Sequence, residues 1–154
     1  MEPISRKQIL ETIPYGDSFL FVDAIEGYSE KSIEARFHIS DSLAWTSGHF
    51  KDLKIAPGLI LVEGLMQALS YLGTIHLKDR SDRYFVLKEF SSIRFLRPIF
   101  LPADVVYSAE ITDWNERDVF FLGRIKVSGQ VAIEAAGTVY CIKGERINAL
   151  RSKE

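Results

Sequence analysis

The chain has 154 residues, 47% apolar and 26% charged, with a formal net charge of −2. These totals describe one globular domain over residues 1–154 with a real core, and they give no basic footprint for nucleic acid. One cysteine, Cys141, excludes an internal disulfide, and the absence of a CxxC or His–Cys cluster suggests no metal site. Met1-Glu2-Pro3-Ile4 has no basic region leading into an apolar run, so no signal peptide is read and a cytoplasmic setting is expected.

Ser5 to Ile13 reads as a short amphipathic helix. Ser5 caps it, Ile9, Leu10 and Ile13 share a face, and Pro14 stops it. Phe19 to Val22, extended by Ile25, reads as a strand. Ser32 to Ser40 is the clearest strand. Ile33, Ala35, Phe37 and Ile39 point one way, and Glu34, Arg36, His38 and Ser40 the other, which leaves His38 on the solvated face. Asp41 to Lys54 reads as loop, with a turn near Leu43.

Next comes Gly48-His49-Phe50, a short loop, Ala56-Pro57-Gly58 and a long apolar run from Leu59. The run is too long for a buried strand and does not alternate. It reads as a buried helix of about four to five turns, short of the roughly 20 residues of a membrane span. Pro57-Gly58 lies at its first turn, where a missing N–H costs little. The polar groups Glu63, Gln67, Ser70, Tyr71 and Thr74 align on one side. A carboxyl on such a helix is expensive unless it is paired, protonated or used. With His49 in a Gly-flanked loop, the set offers a base, an acid and an oxyanion donor at the helix start. His76 falls at the helix's C-terminal end, where the dipole suits it.

Lys78 to Arg83 is a charged connection. Four strands follow: Tyr84 to Phe95, Asp104 to Thr112, Val119 to Val127 and Val131 to Ile142. Asp113 to Asp118 and Ser128-Gly129-Gln130 read as hairpin turns, and Arg97-Pro98 and Leu101-Pro102 break the chain. Cys141 reads as a small buried strand residue, and the charged tail from Lys143 as frayed. One helix followed by an antiparallel meander gives an α+β chain with a helix-covered sheet.

Gly48-His49-Phe50, Ala56-Pro57-Gly58, and Leu61-Val62-Glu63 with Gln67 resemble the core motif of FabZ-type 3-hydroxyacyl-acyl-carrier-protein dehydratases, including the fourteen residues from His49 to Glu63. Ile13-Pro14, Phe19-Leu20-Phe21-Val22-Asp23, Arg94-Phe95 and Arg97-Pro98 extend the likeness over most of the chain. Two departures stand out. Tyr15-Gly16 replaces the family's usual His-Arg, and Lys51-Asp52 replaces the Pro-Gly after the His-Phe pair. The resemblance implies a hotdog fold, a curved antiparallel sheet wrapped around the long helix. It also implies a homodimer or a trimer of dimers, with His49 of one subunit facing Glu63 of the other. The reaction implied is conversion of a 3-hydroxyacyl thioester to the trans-2-enoyl thioester, in fatty-acid or related polyene or lipid synthesis.

That reaction needs no organic cofactor, because the thioester already activates C2. His49 near its ordinary range suits removal of the C2 proton. Glu63 suits delivery of a proton to the leaving hydroxyl if it stays protonated; alternatively His49 serves both transfers and Glu63 orients water or the imidazole. The Gly58 N–H suits the thioester oxygen. Phe50, Gln67 and Phe85 are expected along the acyl tunnel. Lys51, Lys54, Lys88, Arg94 and Arg97 are expected to dock an acidic acyl carrier protein. Three rivals are weighed. An acyl-thioester hydrolase of the same fold generally lacks the His. A non-catalytic acyl-chain binding module would not need His49 and Glu63 intact. A FabA-type dehydratase–isomerase characteristically carries Asp at the helix position.

Overall fold

The structure, a computed structural model, describes residues 2–80 and 82–152. Helix α1 (Arg6–Thr12) follows a two-residue strand, β1 (Ile4–Ser5). Ser5 caps it as its composition suggests, with Gln8 completing a capping box. The apolar segment before β2 corrects the sequence reading. Phe19 ends a single 3-10 turn, and the strand is β2 (Ala24–Tyr28). The bulk of Leu20, Phe21 and Val22 is buried in the core without joining the ladder. Strand β3 (Ser32–Ile39) alternates buried and exposed as the pattern requires, with His38 exposed beside Asp104 at 2.8 Å.

Helix α2 (Ala44–Ser47) leads to the central helix α3 (Gly58–His76). Then come β4 (Arg83–Phe95), β5 (Ala103–Asn115), β6 (Asp118–Val127) and β7 (Gln130–Lys143). All neighbours are antiparallel, in the order β1-β2-β3-β5-β6-β7-β4. The expected four-strand meander is therefore only β5-β6-β7. Helix α3 carries the chain under the sheet, so β4 emerges beyond β7 and β5 returns to pair with β3. The β5–β6 turn is also tighter than expected, because a bulge after Ile111 lets pairing continue to Asn115↔Asp118. At the β6–β7 turn, Ser128 and Gly129 both have positive φ, as a two-residue turn of this hand requires.

Leu61, Leu65, Leu69 and Leu72 of α3 are fully buried against Ile33, Val105, Tyr107, Val119, Phe121 and Ile125. Each such side chain contributes roughly 1.5–3 kcal/mol of burial. Helix α3 is long and apolar enough to cross a membrane, but 72% of its apolar window is buried inside the protein. It is the core helix of a hotdog fold.

The tail also departs from expectation. Gly144–Arg151 forms α4, whose first N–H groups are received by Asp82: its carbonyl takes Gly144 N–H and its Oδ2 takes Glu145 N–H, both at 3.0 Å. The cap comes from 63 residues away, so no local signal announces it.

Candidate active site

The His49 loop is built from α2 outward. Thr46, fully buried, donates its hydroxyl to Leu43 O at 2.8 Å and to Ser40 O at 3.2 Å, which fixes the turn before Gly48. Phe50 N–H bonds Leu53 O at 2.9 Å, so the loop closes on itself where the resembled motif uses Pro-Gly. Beyond it, Leu101 N–H bonds Lys54 O and Ala56 N–H bonds Ile99 O, both at 2.9 Å, which ties the loop to the segment after β4. The His49–Phe50 peptide is cis, and the two rings stack at 4.3 Å.

His49 Nδ1 lies 3.1 Å from Ile55 O. A carbonyl only accepts, so Nδ1 carries the proton of the neutral ring. Nε2 is left with its lone pair, the form a general base needs.

Glu63 is half-buried on α3, and Gln67 Nε2 donates to its Oε1 at 3.1 Å. Gln67, expected in the tunnel, is wholly buried and is not among the residues lining the cavity beside Glu63. Its Oε1 accepts from Phe21 N–H at 2.8 Å and its Nε2 donates to Phe19 O at 2.7 Å. These bonds satisfy the backbone of the apolar segment that never became a strand. Gln67 therefore acts as a brace, tying that segment to Glu63.

Glu63 opens into a cavity of about 180 Å³ with Tyr15, Leu59, Val62, Met66, Ser70, Phe85, Leu87, Phe90 and Val139. Phe85 thus shares a cavity with Glu63. Phe50 does not; it is 54% exposed against His49. Gly58 opens into a second cavity of about 300 Å³ with Phe95, Leu96, Arg97 and Pro98. The helix approaches β4 so closely here that any Cβ at Gly58 would collide with the Phe95 ring. Pro57 offers no side-chain cap, and its carbonyl takes the N–H groups of Ile60 and Leu61, which leaves those of Gly58 and Leu59 for a ligand. No described cavity holds His49 and Glu63 together within one chain.

The expected docking cations divide into two sets. Lys88 pairs with Asp118 at 3.1 Å and lies over Tyr140, Arg94 faces Glu134 at 3.8 Å, and Arg97 bonds Gln130. Lys51 and Lys54 are exposed beside the His49 loop.

Tyr15 is the site residue that sequence reasoning passed over. It sits where the resembled family has His, directly after Pro14, and that departure is the signal that could have found it. Burial, and then the charge of Glu63, push its phenol up to about 12.

Residues 13–136 match a family model described as the FabA-like domain. The chain belongs to the FabA-like family. It is 34% identical over 136 residues to the 3-hydroxyacyl-[acyl-carrier-protein] dehydratase FabZ of Histophilus somni, covering 86% of this chain and 88% of that protein. It is 29% identical over 143 residues to the FabZ of Neisseria meningitidis serogroup C, covering 92% and 95%. Among solved structures it resembles the dehydratase heterocomplex ApeI:P from Xenorhabdus doucetiae, with a TM-score of 0.72 at 16% identity over 92% of this chain and 95% of that one. It also resembles a thioesterase from Pseudomonas aeruginosa, with a TM-score of 0.67 at 15% identity over 89% and 93%. These structural likenesses speak to the hotdog fold alone.

Proposed function

We propose that this chain is a 3-hydroxyacyl-acyl-carrier-protein dehydratase, converting the 3-hydroxyacyl thioester to the trans-2-enoyl thioester and water. The observation that carries this is His49, whose Nδ1 is committed to Ile55 O and whose Nε2 is free, in a FabA-like chain that also presents a braced Glu63. His49 Nε2 takes the C2 proton. Electron density moves toward the thioester oxygen, which meets the Gly58 N–H at the head of α3. The C3–O bond then breaks as the hydroxyl, hydrogen-bonded to Glu63, receives either a proton held by Glu63 or the one that His49 took, and leaves as water. Each proton-transfer group is worth roughly 10²–10⁴-fold.

The working unit is a dimer in which His49 of one subunit meets Glu63 of the partner subunit. This reading is supported by the separation of the two residues between different surroundings in one chain, and by the uncovered edge strand β4. Phe50 and Phe85 then flank one acyl channel. Lys51 and Lys54, exposed beside the His49 loop, are the cations best placed to receive an acidic carrier protein in a cytoplasmic setting.

The test is incubation with 3-hydroxyacyl carrier-protein substrates of several chain lengths. Enoyl thioester is the expected product. Free thiol in its place would assign the chain to hydrolysis, the chemistry of its thioesterase-like neighbours.

A further inference from the structure

One loop holds Glu63 from two sides. It begins as α1 stops at Pro14, with Tyr15 N–H bonded to Ile13 O at 2.9 Å. It ends at Phe21, where the backbone clamps Gln67. Gln67 in turn donates to Glu63 Oε1. At the other end of the loop, Tyr15 lines the same cavity as Glu63 and Ser70. Beyond burial, its phenol is held up by Glu63 and drawn down by Ser70, the two polar side chains that share its cavity. Ser70 is 4% exposed, so little water competes for these contacts.

The donor directions follow from the chemistry. With its phenol pushed up to about 12, Tyr15 is neutral through the whole physiological range and carries one O–H to give. A carboxyl oxygen is the better acceptor of the two neighbours, and Ser70, which has its own O–H, is free to donate to the phenol oxygen. A chain Ser70→Tyr15→Glu63 results, with Gln67→Glu63 arriving from the helix's own next turn.

We infer that Tyr15 is a positioning residue for Glu63, donating its phenol proton to the carboxyl so that the group faces the cavity in one orientation. The inference rests on the dehydratase reading, in which Glu63 meets the leaving hydroxyl. A glutamate on a cavity wall has several rotamers, and catalysis tolerates only small departures from the productive one. Gln67 alone fixes one oxygen; a second donor fixes the plane. A phenol does this with no change of charge near neutrality, whereas an imidazole at the same position would gain and lose a proton there.

Two measurements test the inference. Tyr15→Phe removes the donor and keeps the ring. The expected result is a fall in kcat of about tenfold, the scale of one hydrogen bond to an ionisable group, with KM within about twofold and an unchanged melting temperature at neutral pH. A loss carried by kcat alone marks an interaction made in the transition state. Wild-type kcat in this variant would overturn the inference. The second measurement needs no turnover. Tyr15 is replaced by 3,5-difluorotyrosine, and its ionisation is followed by ¹⁹F NMR with Glu63 present and with Glu63→Gln. The midpoint is expected to fall in the Gln variant, because the neighbouring charge is gone. Equal midpoints would overturn the inference whatever the enzyme's activity. A shifted midpoint in a protein that forms no enoyl product would uphold the contact and overturn the dehydratase reading instead.

Discussion

The two flanks of α3 are finished to different degrees. On the flank facing β3, β5 and β6, Leu65 and Leu72 are fully buried, with Leu65 packed onto Gly123 of β6. On the flank facing β4, Leu59 is 70% exposed, Leu87 is 43% exposed, and a cavity separates helix from strand at Glu63. The same helix, of uniformly apolar composition, is a core element on one side and an open surface on the other. The difference lies in the partner strand. β4 is an edge, reached only after the chain has passed beneath the sheet, and its Phe85 and Phe90 are only partly covered, by Trp114 and Phe121. The polar groups Tyr15, Glu63 and Ser70 gather on the open flank, where a substrate and a second subunit would complete the enclosure.

The largest expected effect concerns the chemistry at the open flank. His49→Ala and Glu63→Gln should each lower dehydration by roughly 10²–10⁴-fold with the fold retained. Mixing the two inactive proteins with subunit exchange sharpens the point. Heterodimers then carry one site with both lesions and one with neither, so about a quarter of wild-type activity should return in a random 1:1 mixture. Proven exchange without recovery would place both residues of a site in one chain and remove the role given to the open flank.

The next effect contrasts the flanks in stability. Leu65→Ala should cost about 2–5 kcal/mol in urea unfolding, since nothing collapses into the space it leaves. Leu87→Ser should change chain stability by less than about 1 kcal/mol while weakening self-association in sedimentation at low micromolar concentration. If Leu87→Ser unfolded the protein as readily as Leu65→Ala, the two flanks would not differ as described.

What the sequence made legible follows the same division. The finished flank was readable because its determinants are local. The alternation of β3, the length of the apolar run and Pro57-Gly58 specify strand, helix and helix start without reference to anything distant. His49, Glu63 and Gly58 stood out because short motifs carry them. The misreadings all involve partners far along the chain. Strand β4 pairs with β7 rather than β5, because β5 returns across the sheet to pair with β3. Gln67 reads as a polar group on a tunnel wall, yet its amide is spent on the backbone at Phe19 and Phe21. Helix α4 depends on Asp82. The stretch from Phe19 to Val22 has the composition of a strand and the burial of a core segment, but its hydrogen bonds go to a side chain. Tyr15 stood out only as a departure from the family's His, and nothing else in its own neighbourhood announces that it shares a cavity with Glu63.

A smaller effect concerns the approach to the open flank. Lys51→Glu with Lys54→Glu should lower kcat/KM on carrier-protein substrates several-fold at low salt, and less at about 0.15 M, where screening shortens the reach of surface charge. Turnover of short thioester mimics should hardly change. Equal losses on both substrates would mean that these lysines act on the His49 loop itself rather than on the partner.

The smallest effect reads the open flank through pH. In the folded chain the Tyr15 phenol is raised from 10.0 to about 12, chiefly by burial and then by the charge of Glu63. Between those values the unfolded chain has released this proton and the folded chain still holds it. Stability therefore declines as pH rises, being fully present below about 10 and lost as pH passes about 12. Two pK units correspond to about 2–3 kcal/mol. Tyr15→Phe has no such proton. Tyr71 and Tyr107 are also raised by burial, but they are common to both proteins and cancel in the difference. The wild-type minus Tyr15→Phe difference in unfolding free energy, near zero at neutral pH, should therefore turn negative from about pH 9.5 upward, leaving the wild type about 2 kcal/mol the less stable once pH 12 is approached. Parallel curves would mean that water reaches the phenol freely, and the cavity beside Glu63 would then be an open surface even before any partner covers it.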